Sequence, residues 1–173
     1  MRNMNILNNL LNEIEEKELK TADNIIVAPS NNKCKANTIK IFLAGTIDDG
    51  NSENWQKKIC KEFINNEKFS ILNPRRDKWD SDLGSSEVIR QIKWEHRRMD
   101  EADFIIMNIL PESKSPISLM EIGMYCQSNK LLVFCTDKFY RFENVKCVCE
   151  KYKIKLIETN KIEDIVEQIL KLK

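Results

Sequence analysis

ADFIIMNIL (102–110) is apolar at almost every position. A strand with one wetted face alternates polar and apolar residues. A strand apolar throughout is buried on both faces, as in a parallel sheet covered by helices on either side. The flanking sequence alternates as such a sheet requires. Upstream lie IKIFLAG (39–45), a helical stretch over 53–66 with Trp55, Ile59, Phe63 and Ile64 inward, FSILN (69–73), and a second helix over 86–101. Downstream come a helix over 116–129, LLVFC (131–135), a helix over 142–152 with Phe142, Val145, Cys149 and Tyr152 on one side, IKLIE (154–158), and a last helix over 161–172. Five strand–helix units in succession predict an α/β fold, a doubly wound five-stranded parallel sheet of the flavodoxin-like (Rossmann-like) kind.

Ahead of that alternation the character differs. Ile6, Leu7, Leu10, Leu11 and Ile14 recur at helical spacing and predict an extra amphipathic N-terminal helix over 4–19. IIVAP (25–29) reads as a short extended segment, and SNNKCKAN (30–37) as a polar, turn-rich linker. The expected organisation is therefore an N-terminal helix and linker over 1–38 and an α/β domain over 39–173. A chain of 173 residues suffices for one domain that buries about 70% of its unfolded surface.

Composition narrows the function. The net charge is +1, with basic residues scattered among acids, so nucleic acid is not an expected partner. No run of 18 apolar residues exists, so no membrane span is expected. MRNMNILNNLLNEIEEKELK is too polar and acidic for a signal peptide, and the expected location is the cytoplasm. The six cysteines are irregularly spaced with no CxxC, and His96 is the single histidine. Reduced, mostly buried thiols are expected, with no metal and no cofactor.

Doubly wound sheets bind ligands beyond the carboxyl ends of their strands, so the residues after each strand carry the functional reading. GTIDDGN (45–51) opens with Gly45, which permits a tight turn and a close backbone approach. It is neither GxGxxG nor GxxxxGK[ST], and with four glycines in the chain the standard dinucleotide and P-loop sites are excluded. NPRRDKWDSD (73–82) holds two arginines, three aspartates and Trp79, a composition suited to a planar ligand. In the next helix Val88, Ile92 and Met99 form the expected inward stripe, Glu95 falls on it, and His96 is expected to face solvent. After the central strand, Ser115 and Pro116 read as N-cap and first helical residue, a place to hold an anion or a hydroxyl. SPISLMEIGMY (115–125) is apolar on nearly every side, so it should be a buried helix, and Glu121 sits inside it. A desolvated carboxylate beside a pocket is a candidate nucleophile or acid–base group. Two carboxylates from adjacent strand ends suit chemistry at an acetal carbon, where retaining glycosidases set them roughly 5 Å apart.

IFLAGTID, WQ (55–56), NPRRDKWD, QIKWE (91–95), EADFIIMNI and SPISLMEIG, in this order and spacing, resemble the nucleoside 2-deoxyribosyltransferase-like family over residues 39 to about 126. The resemblance implies an enzyme that cleaves the N-glycosidic bond of 2′-deoxynucleosides, with Glu121 attacking C1′ and another base or water then taking the sugar. It implies that Glu95 contacts the base and helps protonate the leaving nitrogen. Asp77, Trp79 and Asp80 would line the base side, and Gly45, Thr46 and Asp48 would lie near the sugar. Some transferases of the family carry an aspartate at the position of Ser115, and a tyrosine where Ile41 stands. Related nucleoside 5′-monophosphate N-glycosidases carry a serine at the former, which helps hold phosphate, and Arg75, Arg76 and Lys114 could attend the same group. The implied partners are a nucleoside or nucleotide substrate and a free base, with a homo-oligomer that completes its pockets across subunits. A non-catalytic nucleotide-binding module is the alternative from another class.

Overall fold

The computed structural model describes residues 14, 17–19, 21–76 and 84–173. In chain order the elements are β1 (Ile25–Val27), β2 (Ile39–Gly45), α1 (Trp55–Glu62), β3 (Phe69–Asn73), α2 (Ser85–Glu101), β4 (Phe104–Ile109), α3 (Pro116–Tyr125), β5 (Leu131–Cys135), α4 (Phe142–Tyr152), β6 (Lys155–Ile157) and α5 (Ile162–Leu170). The strands form one all-parallel sheet in the order β1-β3-β2-β4-β5-β6. This is the expected flavodoxin-like α/β architecture with one correction: the sheet has six strands, not five.

The added strand is IIV at 25–27, in register with β3 (Ile25↔Ile71, Val27↔Asn73). Asn24 fixes it there. Its buried amide Nδ2 donates to the carbonyls of Phe63 (2.7 Å), Asn66 (3.1 Å) and Phe69 (3.1 Å), closing the turn between α1 and β3. Three residues are too few to show a period, so the pairing was invisible to pattern reading. Of the expected 4–19 helix, Ile14 and residues 17–19 are helical; the rest lies outside the described residues.

Alternate strand residues feed two cores. On one face Phe42, Ala44, Ile105, Met107, Ile109 and Val133 meet Trp94 and Met99 of α2, Ile122 of α3, and Val145 and Cys149 of α4. On the other Ile41, Leu43, Ile71, Ile106 and Phe134 meet Trp55 and Ile59 of α1 and Ile165 and Ile169 of α5. β4 is buried almost throughout, as its unbroken apolar run requires. All six cysteines are free thiols; Cys60, Cys126, Cys135 and Cys149 are buried. Among the described residues no helix is long and apolar enough to cross a membrane.

Two helices sit differently from their expected phase. α2 buries Gln91, Trp94, Arg98 and Met99, while Val88 (44% exposed) and Ile92 (42%) face outward. Polar partners decide this. The Trp94 indole donates to the Ser30 carbonyl (2.6 Å), and Arg98 donates to the carbonyls of Ser30 (3.2 Å) and Asn32 (2.6 Å). Residues 30–32 thereby dock on α2. α3 is not buried all round: Ser118, Glu121 and Ile122 point inward, but Ile117, Met120 and Met124 are about half exposed. The misplaced apolar residues Val88, Ile92, Ile117 and Met120 share a place, since they line the same cavity.

Candidate active site

At the carboxyl edge of the sheet a cavity of about 420 Å³ opens between the ends of β2 and β3 and the helices α2 and α3. Its β2 wall is Gly45, Ile47, Asp48 and Asp49; β3 contributes Pro74 and Arg76; α2 contributes Gln91, Glu95 and His96; α3 contributes Ser115 to Ser118, Met120 and Glu121.

Gly45 has φ +130, and a Cβ there would lie 2.1 Å from the Asn108 carbonyl oxygen on β4. Only glycine fits, and the chain turns over the sheet edge without a side chain in the way. Thr46 follows. It was expected near the sugar; its side chain is buried and is not among the residues lining the cavity. Its hydroxyl lies 2.6 Å from Ser115 Oγ and 3.0 Å from Ser113 Oγ and accepts from the Leu110 N–H at 2.9 Å. Its carbonyl accepts from Trp55 Nε1 (3.0 Å) and Gln56 Nε2 (3.2 Å), which gives the WQ pair a structural task.

Ser115 occupies the N-cap position of α3 but makes no side-chain cap bond. Its backbone is left-handed (φ 43, ψ 48), a strain of order 1–3 kcal/mol for a residue other than glycine. The hydroxyl bonds sideways to Thr46 and to Ser113 Oγ (2.7 Å). This cluster of three buried hydroxyls ties the entry of α3 to the end of β2. Pro116 follows at the first helical position, on the cavity wall.

The basic residues divide. Arg75 is buried and does not line the cavity; its guanidinium donates to the carbonyls of Gly50 (2.8 Å), Ser52 (2.7 Å) and Glu53 (2.9 Å) and to Ser52 Oγ (3.2 Å). It pins the loop carrying Asp48 and Asp49, both left-handed (φ 47 and 52), and that loop forms the cavity rim. Lys114 is exposed and off the cavity wall. Arg76 alone of the three reaches the cavity, where Nε donates to Gln91 Oε1 (2.7 Å) and the guanidinium pairs with Glu87 at 3.4 Å. Asp77, Trp79 and Asp80 lie outside the described residues.

The two acids meet in this cavity. Glu121 is buried (7% exposed) and has no hydrogen-bond partner among the described residues. Burial, and then the neighbouring Glu95 charge, push its carboxyl up to about 8. Burial also raises Glu95, but the Gln91 hydrogen bond, His96 and Arg76 pull it back. The pair thus carries its first proton on Glu121 and leaves Glu95 the more acidic member. Gln91, Asp49, Ser118 and His96 are wall residues not picked out from the sequence; His96 was expected in solvent. Gln91 had a weak signal, a polar residue one turn before Glu95 in QIKWE.

Two carboxylates thus share one cavity at the switch edge of a parallel sheet, the place where folds of this kind bind small molecules. The family model described as nucleoside 2-deoxyribosyltransferase like matches residues 38–139, more than half of the chain, and the chain belongs to that family. No curated protein matches it.

Proposed function

We propose that this chain cleaves the N-glycosidic bond of 2′-deoxynucleosides by double displacement and passes the sugar to a second base or to water. The observation that carries the reading is Glu121 and Glu95 facing one cavity at the carboxyl edge, in a chain of this family. A Glu121 carboxylate oxygen attacks C1′. The C1′–N bond breaks, its electron pair leaves with the base, and a proton from Glu95 neutralises the departing nitrogen. The resulting deoxyribosyl ester is then attacked at C1′ by the nitrogen of an incoming base, or by water, whose proton returns to Glu95 as the Glu121 carboxylate is released.

Before substrate binds, the shared proton favours Glu121; the reactive arrangement has it on Glu95. Positive charge developing on the sugar favours an ionised Glu121, so substrate drives the transfer.

Hydrolysis of nucleoside 5′-monophosphates is a second reading, supported by Ser115 and the N-terminus of α3 at the cavity. It is weakened by Arg75 being committed to the 50–53 carbonyls, by Lys114 standing off the wall, and by Asp48 and Asp49 on the rim. The test is to incubate the protein with deoxyadenosine, thymidine and their 5′-monophosphates, with and without free base, and separate the products. A new nucleoside that forms only with added base supports transfer. Free base from the monophosphate alone replaces it with the second reading.

A further inference from the structure

We propose that Gln91 is a positioning residue for this reaction, one that fixes the Glu95 carboxylate by offering it a hydrogen-bond donor and nothing else. The inference rests on the reading above, in which Glu95 is the acid–base partner of Glu121.

An amide side chain has one accepting end and one donating end, and its neighbours decide which faces where. Arg76 Nε can only donate, and Gln91 Oε1 accepts from it at 2.7 Å. The Pro74 carbonyl can only accept, and Gln91 Nε2 donates to it at 2.9 Å. A flipped amide would set NH₂ against a guanidinium and oxygen against a carbonyl, so the orientation is fixed twice over. The second Nε2 hydrogen is then committed to Glu95 Oε1 at 2.8 Å. The Gln91 side chain is buried, which keeps water from substituting for any of these partners. Arg76 is held from its far side by Glu87, so the row Glu87–Arg76–Gln91–Glu95 runs from the surface into the cavity.

The consequence is directional. Glu95 Oε1 is kept as an acceptor, so any proton that Glu95 carries or delivers rides on Oε2. The charged and titratable groups around it are Arg76 after β3, His96 on its own helix, Glu121 on α3, and Asp48 and Asp49 on the loop after β2. Of these, only the Arg76 row reaches Glu95 through a hydrogen bond.

The experiment is a carboxyl-carbon NMR titration of glutamate-labelled protein, with Glu95 assigned by Glu95→Gln, in wild type, Gln91→Met, Gln91→Glu and Gln91→Asn. Gln91→Met keeps the volume and removes donor and acceptor. Gln91→Glu keeps the size and the acceptor for Arg76 but cannot donate when ionised. Both are expected to raise the Glu95 midpoint by about one unit or more, since a lost hydrogen bond to the charged form disfavours it. In turnover, kcat is expected to fall about 10- to 100-fold with KM changed less than about threefold. A folded variant, judged by circular dichroism, with the wild-type midpoint and kcat overturns the proposal. If Gln91→Met melts too early to titrate, Gln91→Asn decides, a neutral amide one methylene too short to reach Glu95, because the charge of Gln91→Glu would by itself raise the Glu95 midpoint. Absent turnover in the wild type would count against the functional reading, and the titration would still test Gln91.

Discussion

On the proposed mechanism, Glu121 is where stability and function oppose each other. An acid whose folded-state pKa is raised contributes stability that is fully present below its unfolded value near 4.5 and is lost as pH rises through about 8. Each pKa unit is about 1.4 kcal/mol, so burying this carboxylate costs on the order of a few kcal/mol once it must ionise. Glu121→Gln should therefore abolish turnover and yet raise the unfolding free energy by about 1–3 kcal/mol near pH 9, with little gain near pH 5. Urea unfolding at the two pH values checks this; an equal effect at both would contradict the assigned burial. Gly45 is the opposite case, a residue with no alternative. Gly45→Ala should destabilise by about 2–4 kcal/mol or prevent folding, because the strained φ and the Asn108 carbonyl leave no relaxed solution. Chemical denaturation of the purified variant reads this directly. Both residues were legible in the sequence, an acid inside an apolar helix and a glycine ending a strand. Gln91 left only a weak signal: glutamine carries no charge pattern, and its importance lies in which partners surround it.

Elements set how those residues are aimed. Arg75 reads in the sequence as a cation available to a ligand, and in the fold it is the bracket of the 47–54 loop. Its carbonyl partners are reached only after β2 and β3 pair, so local sequence could not reveal them. Arg75→Lys, which offers no planar fork, should lower stability by about 1–3 kcal/mol and raise KM more than it lowers kcat, as the Asp48–Asp49 rim loosens. Thermal melts and steady-state kinetics together test it; a KM unchanged in a less stable variant would detach the rim from binding. The helices teach a related lesson. Periodicity correctly placed α2 and α3 but misjudged which apolar residues face the core. Val88, Ile92, Ile117 and Met120 face a cavity, and a cavity wall has the same composition as a core.

At the scale of the whole molecule, the alternation of strand and helix made the doubly wound sheet readable, because a buried parallel strand such as 104–109 has few other sequence solutions. The edge strand 25–27 escaped because its place depends on Asn24 and on β3 rather than on its own pattern. The site, too, is a property of the assembled fold: its walls come from two strand ends and two helices, and the coupling of Glu95 to Glu121 exists only once they converge. That coupling predicts a bell-shaped kcat/KM profile in pH. Activity requires one proton on the pair, so it should fall as pH rises through about 8, where the second carboxyl ionises, and fall again in acid where both are protonated. A profile flat across pH 7 to 9 would contradict it. The most direct test of the central claim is mass spectrometry of the acid-quenched protein after mixing with a deoxynucleoside. The account predicts one deoxyribosyl adduct, on the peptide containing Glu121, that disappears when free base is added. Turnover of the deoxynucleoside with no adduct, or with the adduct on another residue, would contradict it.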